Sequence, residues 1–409
     1  MNMSMNIASL IIANIRFRPL SAAFNILLLA LGVAVLLIFG HLNTALQDRF
    51  NRDLNGIDLV IGGKGSPLQI ILSSVFHIDT PTGNIPMDQA MEIAHSRLIA
   101  KAIPLALGDN FSGFRIVGTT ADYIGHYKGR LAQGVVFDTP MEAVLGSDVA
   151  QKTGRKIGDR VVGAHGLSGA SDLHKDTPYT VTGILAPTGT VLDRLVLTPV
   201  ESVWAVHHHE EEEHEHEHAH EQGHEDHGDK ELTALLLTYK TPLAAMQLPR
   251  RINAASGLQA ASPAVEMARL YRLMGTGRDL MSVFAVAVTI FAGFGLFISL
   301  TQALHDRLYD MTLLRVMGAS RSRIAGLIFG EAFGLALAGL ALGILLSQAA
   351  LALIAANVME TRHLDLTGLG VGVMELWVSA SVLLIALLAA LFPAIRVYRL
   401  NISDILAKA

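Results

Sequence analysis

The chain has 409 residues, 51% hydrophobic and 16% charged, with a mean hydropathy of +0.43, a formal net charge of −5 and no cysteine. That is too apolar for an ordinary soluble protein of this length, and it excludes a disulfide-stapled scaffold. The net charge conceals an acidic block: residues 207–230 carry ten acids and one Lys, about −9 with His neutral, against about +4 elsewhere, and no basic patch suggests nucleic acid.

Met1–Pro19 mixes apolar and basic residues, with Arg16 and Arg18 just before Pro19. This predicts an interfacial elbow helix over 1–19. Leu20–Leu42 is the first of four apolar runs, the others being Leu280–Leu304, Ile324–Val358 and Val373–Ile395. Each reaches the roughly 20 residues a helix needs to cross a hydrocarbon core of about 30 Å. The first run is too long for the apolar part of a signal peptide, and a charged stretch follows it, so it reads as an uncleaved span over 20–42.

Residues 43–279 are expected to form one large α+β domain on helical stalks, with enough chain for its own core. Thr44–Asn55 continues the first span as a stalk, and Pro263–Met281 leads helically into the second. Ile57–Ile61, Phe114–Gly118, Asp159–Val162, Tyr179–Leu185, Leu195–Thr198 and Leu232–Tyr239 read as strands bounded by turn residues. Pro86–Lys101, with Asp88 as a cap, Met141–Lys152 and Pro242–Ala255 read as helices. Gly62-Gly63-Lys64-Gly65-Ser66 lacks the spacing of a phosphate loop and predicts only a tight strand-to-loop turn. Residues 280–409 hold spans two to four, at about 280–304, 324–358 and 373–395.

Cation placement sets the orientation. Arg16 and Arg18 precede the first span, Arg307, Arg315, Arg321 and Arg323 lie between spans two and three, and Arg396, Arg399 and Lys408 follow span four. Only Arg362 lies between spans three and four. Both termini and the 305–323 bridge are therefore expected in the cytoplasm, and the large domain outside. The fold class is an integral membrane α-helical protein with four transmembrane helices in a 1+3 arrangement and a large extracytoplasmic α+β domain between helices 1 and 2.

Two segments carry functional information. The bridge 305–323 has room for one short amphipathic helix. Met311, Leu313, Leu314, Val316 and Met317 put apolar groups where a loop that merely fixed topology would not need them. The second segment is 207–230, expected as a disordered insertion because it has little to bury. It contains His207, His208, His209, His214, His216, His218, His220, His224 and His227. Neutral imidazole beside carboxylate suits Zn²⁺, Cu²⁺ or Ni²⁺, so zinc at this loop is the one cofactor the chain suggests. Without fixed spacing the binding would be multi-site. The plainer reading is a solvated insertion. His77, Asp79, His95, His126, His165 and His174 are scattered singly, and no nucleophile–base pair stands out. Glu331, on the third run, reads as interfacial or as a polar contact within the bundle.

Arg307-Leu-Tyr-Asp-Met-Thr-Leu-Leu-Arg-Val-Met-Gly-Ala-Ser320 resembles the bridge of the FtsX-like/MacB-type ABC transporter permeases. Asn14-Ile-Arg-Phe-Arg-Pro-Leu20 resembles their opening elbow. Leu145–Ala150, Lys156–Arg160 and Tyr179–Pro187 are similar to their periplasmic core domain, and Pro393–Leu406 to their closing stretch. Where the family usually has Glu, this chain has Asp310. The resemblance implies a bacterial inner-membrane permease, itself not an enzyme, paired with a second permease chain and with a cytoplasmic ABC ATPase dimer that hydrolyses ATP. It implies that Arg307, Asp310, Leu313, Leu314, Arg315, Met317, Gly318 and Ser320 form the ATPase-coupling loop, Leu314 and Met317 facing an ATPase groove. The output would be motion of the external domain, releasing or exporting a lipidated, peptidic or amphiphilic substrate, with a periplasmic or outer-membrane partner. Two alternatives stand beside it: an ABC system for divalent-metal homeostasis, suggested by 207–227, and an ATPase-coupled regulator of a cell-wall enzyme.

Overall fold

In the computed structural model, helix α1 runs unbroken from Pro19 to Leu54. The structure describes residues 16–17, 19–164, 177–206, 230–255, 257–357 and 372–398. The elbow before Arg16, Arg18, His165, His174, the segment 207–229, Arg362, Arg399 and Lys408 lie outside them. The chain divides into two units. One is Asp48–Leu273; the other joins Met1–Gln47 to Met274–Ala409.

The Asp48–Leu273 unit takes the last turns of α1. There follow β1 (Leu59–Gly63), α2 (Pro67–Ser74), β2 (Ile85–Pro86), α3 (Met87–Ala94), β3 (Ile99–Phe111), β4 (Phe114–Thr119), α4 (Ala121–His126) and β5 (Leu131–Gly134). Next come β6 (Glu142–Leu145), α5 (Ser147–Thr153), β7 (Arg160–Val161), β8 (Tyr179–Leu185), a 3-10 turn (Val191–Arg194) and β9 (Leu195–Pro199). The unit continues through α6 (200–206), β10 (Glu231–Leu232), β11 (Ala234–Tyr239), α7 (Pro242–Ala255), β12 (Leu258–Ala261) and the start of α8 (Pro263–Asp306).

Ten of these strands form one sheet in the order β12-β1-β11-β3-β4-β9-β6-β8-β5, with β7 also on β8. Pairing is antiparallel except β4 with β9 and β6 with β8. β3 links the two halves: its first part, to Leu105, pairs with β11, and its second, from Ala106, with β4. The period-2 alternation of strands sorts side chains between the faces. Leu59, Ile61, Leu235 and Leu237 pack with Ala244, Leu248 and Ile252 of α7. Their neighbours Val60 and Leu236 join Ile103, Leu105, Ile70, Ile71 and Tyr123 on the opposite face. In the other half Ile116, Leu145, Val181 and Val196 pack with Val149 of α5. Burying each such side chain fully is worth roughly 1.5–3 kcal/mol.

Two sequence expectations change here. Residues 86–101 are not one helix: α3 stops at Ala94, and Ile99 already belongs to β3 because it pairs with Tyr239. Asp88 lies in the first turn of α3, favourable to the helix dipole, but no side chain caps that helix. Within 141–152, Glu142–Leu145 is drawn into the sheet between β8 and β9, and only Ser147–Thr153 is helical, ending at left-handed Gly154.

In the other unit four helices are long and apolar enough to cross a membrane: α1, the 279–306 part of α8, α10 (Arg321–Asn357) and α11 (Val373–Tyr398). The short α9 (Leu308–Val316) lies between α8 and α10. Leu29, Val33, Leu296, Leu300, Ile328, Leu335, Val382 and Ala386 make the shared core. Outward positions such as Leu27, Phe291, Leu345 and Leu388 are also apolar and exposed, as lipid-facing helices require. Gly339 and Gly343 of α10 bring α1 close: a Cβ on Gly339 would lie 2.7 Å from Leu29 Cβ, and one on Gly343 2.6 Å from Val33 Cβ. The Ser21 and Ser299 hydroxyls meet at 2.9 Å, and His41 Nε2 lies 2.7 Å from Glu375 Oε1. Glu331 is half-buried on α10.

Candidate functional site

The bridge between α8 and α10 is a helical corner whose shape is written mostly in backbone bonds. α8 stops because Arg307 leaves helical geometry, with φ −113° and ψ 13°. Its carbonyl oxygen then accepts the Met311 N–H at 2.9 Å, starting α9. Arg307 also stacks its guanidinium on Phe17, 5.4 Å from the ring centre. Met311 and Thr312 are buried. Met311 joins the core with Leu304 and Ile324, and the Thr312 hydroxyl donates to the Leu308 carbonyl at 2.7 Å.

α9 stops at Gly318. Its φ of +98° is a left-handed conformation that glycine adopts without a Cβ penalty. The Gly318 N–H donates to the Arg315 carbonyl at 3.1 Å and the Ala319 N–H to the Leu314 carbonyl at 2.9 Å, the paired bonds of a Schellman cap. Two residues later Ser320 opens α10. Its hydroxyl accepts the Arg323 N–H at 3.3 Å, an N-cap bond to the third helical residue. Met-Gly-Ala-Ser320 is thus a stop signal followed directly by a start signal.

The outward side of this corner is apolar. Leu313 is 49% exposed, Val316 61% and Met317 67%. Their spacing puts them on neighbouring positions of one short helix. Leu314 and Arg315 are half-buried, and Ser320 is exposed. Asp310 lies on the α9 backbone, its side chain outside the described residues. Val316 was an apolar group of the bridge but not among its expected coupling residues. Its i, i+3 relation to Leu313 was the available signal.

No second site competes among the described residues. His77 is buried, with Nε2 3.1 Å from the Tyr123 hydroxyl, and burial pushes its pKa down to about 3. It therefore stays neutral and packed. His95 Nδ1 meets the Met91 carbonyl at 2.6 Å at the end of α3. His126 is half-buried and meets the Tyr127 ring edge to face, with burial lowering its pKa. No group of three or more His, Cys, Asp or Glu could hold a metal among the described residues. His207, His208, His209, His214, His216, His218, His220, His224 and His227 lie outside them.

Two family models match successive parts of the chain, the first beginning inside α1. The family model of the MacB-like periplasmic core domain matches residues 22–247, and that of the FtsX-like permease C-terminal region matches residues 282–402. Two solved structures are similar to parts of the chain. The periplasmic region of MacB from Actinobacillus actinomycetemcomitans is 10% identical, covering 53% of this chain and 95% of its own, with a TM-score of 0.35. The extracellular domain of the noncanonic ABC-type transporter YknZ from Gram-positive bacteria is 11% identical, covering 50% and 99%, with a TM-score of 0.31. No curated protein matches the chain. At those TM-scores the assignment rests on the two family models, which between them cover most of the residues. This chain belongs to the FtsX/MacB-type ABC transporter permeases, proteins of the bacterial inner membrane that work with an ABC ATPase.

Proposed function

We propose that this chain is the permease half of a mechanical coupling system. A separate cytoplasmic ATPase dimer docks on α9, and its closure moves the external domain to release or export a lipidated, peptidic or amphiphilic substrate. The observation that carries this reading is the exposed apolar ridge Leu313–Val316–Met317, at the end of a short helix closed by a backbone cap at Gly318. A solvated loop serving only topology has no use for that ridge. The cation pattern around the spans supports placing α9 and both termini in the cytoplasm and Asp48–Leu273 outside. A second permease chain, identical or a sister, completes the assembly.

The test is Val316→Asp together with Met317→Asp. Both positions are exposed, so membrane insertion and folding survive. A carboxylate forced into a desolvated contact costs several kcal/mol. Co-purified ATPase is therefore expected to fall roughly tenfold or more, with permease-stimulated ATP hydrolysis falling in parallel. Unchanged ATPase association sinks the docking assignment, as does a topology reporter at Ser320 that reads external.

The His-rich block favours a second reading, in which the same machinery serves divalent-metal homeostasis. Imidazoles near their ordinary pKa of about 6.5 are mostly neutral at pH 7.5 and mostly charged at pH 5.5. A peptide covering His207–His227 is expected to bind several Zn²⁺ at pH 7.5 and release most at pH 5.5. Calorimetry showing no uptake at pH 7.5 removes this reading. Regulation of a cell-wall enzyme rests on no residue of its own in this chain.

A further inference from the structure

The last turn of α1 ends in a socket. Asp53 lies well past the apolar run that closes at Leu42, inside the Asp48–Leu273 unit, and is 1% exposed. Its Oδ1 accepts the Val191 N–H at 2.8 Å, and its carbonyl oxygen accepts the Tyr127 hydroxyl at 2.7 Å. Beside it Arg52 Nε donates to the Gly189 carbonyl at 3.3 Å. The receiving loop is itself preformed. Asp193, 3% exposed, accepts the Thr188 N–H at 2.8 Å, the Thr188 hydroxyl at 2.9 Å and the Gly189 N–H at 2.7 Å. Residues 188–194 therefore hold their shape through Asp193 and hold α1 through Asp53.

The charges around Asp53 are few. Arg49 and Arg52 come from α1 itself and Arg194 from the 3-10 turn. Tyr123 comes from α4 and Tyr127 follows its last residue, and behind Tyr123 stands His77. Burial keeps both tyrosines above their ordinary range and His77 far below its own, so none of these three changes charge between pH 5 and pH 7. Asp53 is the exception. Burial pushes its carboxyl up to about 6, against the opposing pull of Arg194, Arg49, the Val191 N–H and Arg52.

We propose that this joint is tightened by a proton: uptake at Asp53 holds the last turn of α1 in the 188–194 socket, and loss of that proton loosens it. The sign follows from linkage. A released turn exposes Asp53 to water and returns its pKa to its ordinary value of 3.8, while the docked turn keeps it near 6. The docked form then binds more protons between those values, so docking strengthens as pH falls through about 6 and is strongest below about 4. Between pH 7 and pH 5 the docked-to-released ratio rises about tenfold. The consequence is that acidity outside the cell would bias how firmly the domain grips this helix. Only that consequence rests on the function proposed above.

The experiment reads the joint directly, with or without an ATPase. Full-length protein in lipid nanodiscs is followed by amide hydrogen exchange, corrected for the intrinsic pH dependence of exchange. The readout is a peptide spanning Thr188–Leu195. Protection in the native chain is expected to rise about tenfold from pH 7 to pH 5. Asp53→Asn keeps an acceptor for the Val191 N–H and is expected to lose that pH response. Arg194→Gln removes the largest opposing charge and is expected to move the midpoint to higher pH. Flat protection in the native chain overturns the proposal, and so does an unchanged pH response in Asp53→Asn. Should Asp53→Asn fail to fold, Arg194→Gln decides alone: a midpoint that stays or falls overturns the proposal.

Discussion

The two units use most of their buried hydroxyls differently, although the His41–Glu375 pair joins two helices of the membrane unit. In the membrane unit the Thr289 hydroxyl donates to the Ala285 carbonyl at 2.8 Å and the Ser347 hydroxyl to the Ile344 carbonyl at 2.8 Å, each folding back on its own helix. In the Asp48–Leu273 unit the same kinds of group tie distant stretches together. Asp53 reaches Val191, Thr233 receives the Leu107 N–H, and the Thr119 hydroxyl donates to the Pro104 carbonyl. Helices facing lipid satisfy their backbones internally and leave little for side chains to pair, so close packing decides how they meet. A sheet wrapped by loops leaves many backbone groups to be met by side chains, so electrostatics decides. One unit is most sensitive to added volume and the other to added or removed charge.

Volume gives the largest expected effect. Gly343→Leu drives a side chain into Val33, and even a Cβ there would lie 2.8 Å from the Ala30 carbonyl oxygen. Overpacking at a helix contact costs about 3 kcal/mol. Thermal unfolding in detergent should show that loss in the membrane unit, with the unfolding of Asp48–Leu273 unmoved. Equal destabilisation of both would break the division.

Charge gives the next. His77 has its pKa pushed down to about 3 in the folded unit, from 6.5. Its stabilising contribution is present above 6.5 and is lost as pH falls through that value, because the unfolded chain takes up the proton first. At pH 5 the loss is about 2 kcal/mol. His77→Asn suits the position's φ of 53°, since Asn tolerates that region, and should flatten the acid side of the stability profile. Asp53 acts with the opposite sign, adding stability as pH falls through about 6. The stability lost between pH 7 and pH 5 should therefore be smaller in the His77→Asn chain than in the native chain, measured by denaturant titration at both. A steeper acid loss than in the native chain would refute the assignment.

The smallest effect separates conformation from volume. Gly154 ends α5 at φ +68°, and a Cβ there meets nothing within 4 Å. Gly154→Ala should cost about 1 kcal/mol by backbone strain alone, seen as a shift in denaturant midpoint without a change in slope. A cost near that of Gly343→Leu would mean that crowding acts here too.

Much of the membrane unit was legible because lipid imposes long uniform runs. The bridge was legible because two long apolar runs leave room between them for one short amphipathic helix, while its stop at Gly318 and restart at Ser320 came only with the structure. Strand β3 was not. Pro104 and Gly108 punctuate it, and both residues ordinarily argue against a central strand. Its place is set by β11 and β4 on either side, which a local pattern does not contain. Glu142–Leu145 was lost for the same reason, taken into the sheet by partners far along the chain. Asp53 carried no signal at all. It sits in the charged stretch Asp48–Asp53, where one acid looks like another until folding removes it from water.

The corner at Gly318 has a consequence for how such a protein can evolve. Its direction is fixed by the Gly318 and Ala319 N–H groups and by the Ser320 hydroxyl. The side chains of Leu313, Val316 and Met317 take no part in those bonds. If α9 docks an ATPase as proposed, a duplicated copy could be re-addressed to another partner by rewriting three outward positions, while the backbone geometry of the corner stays intact.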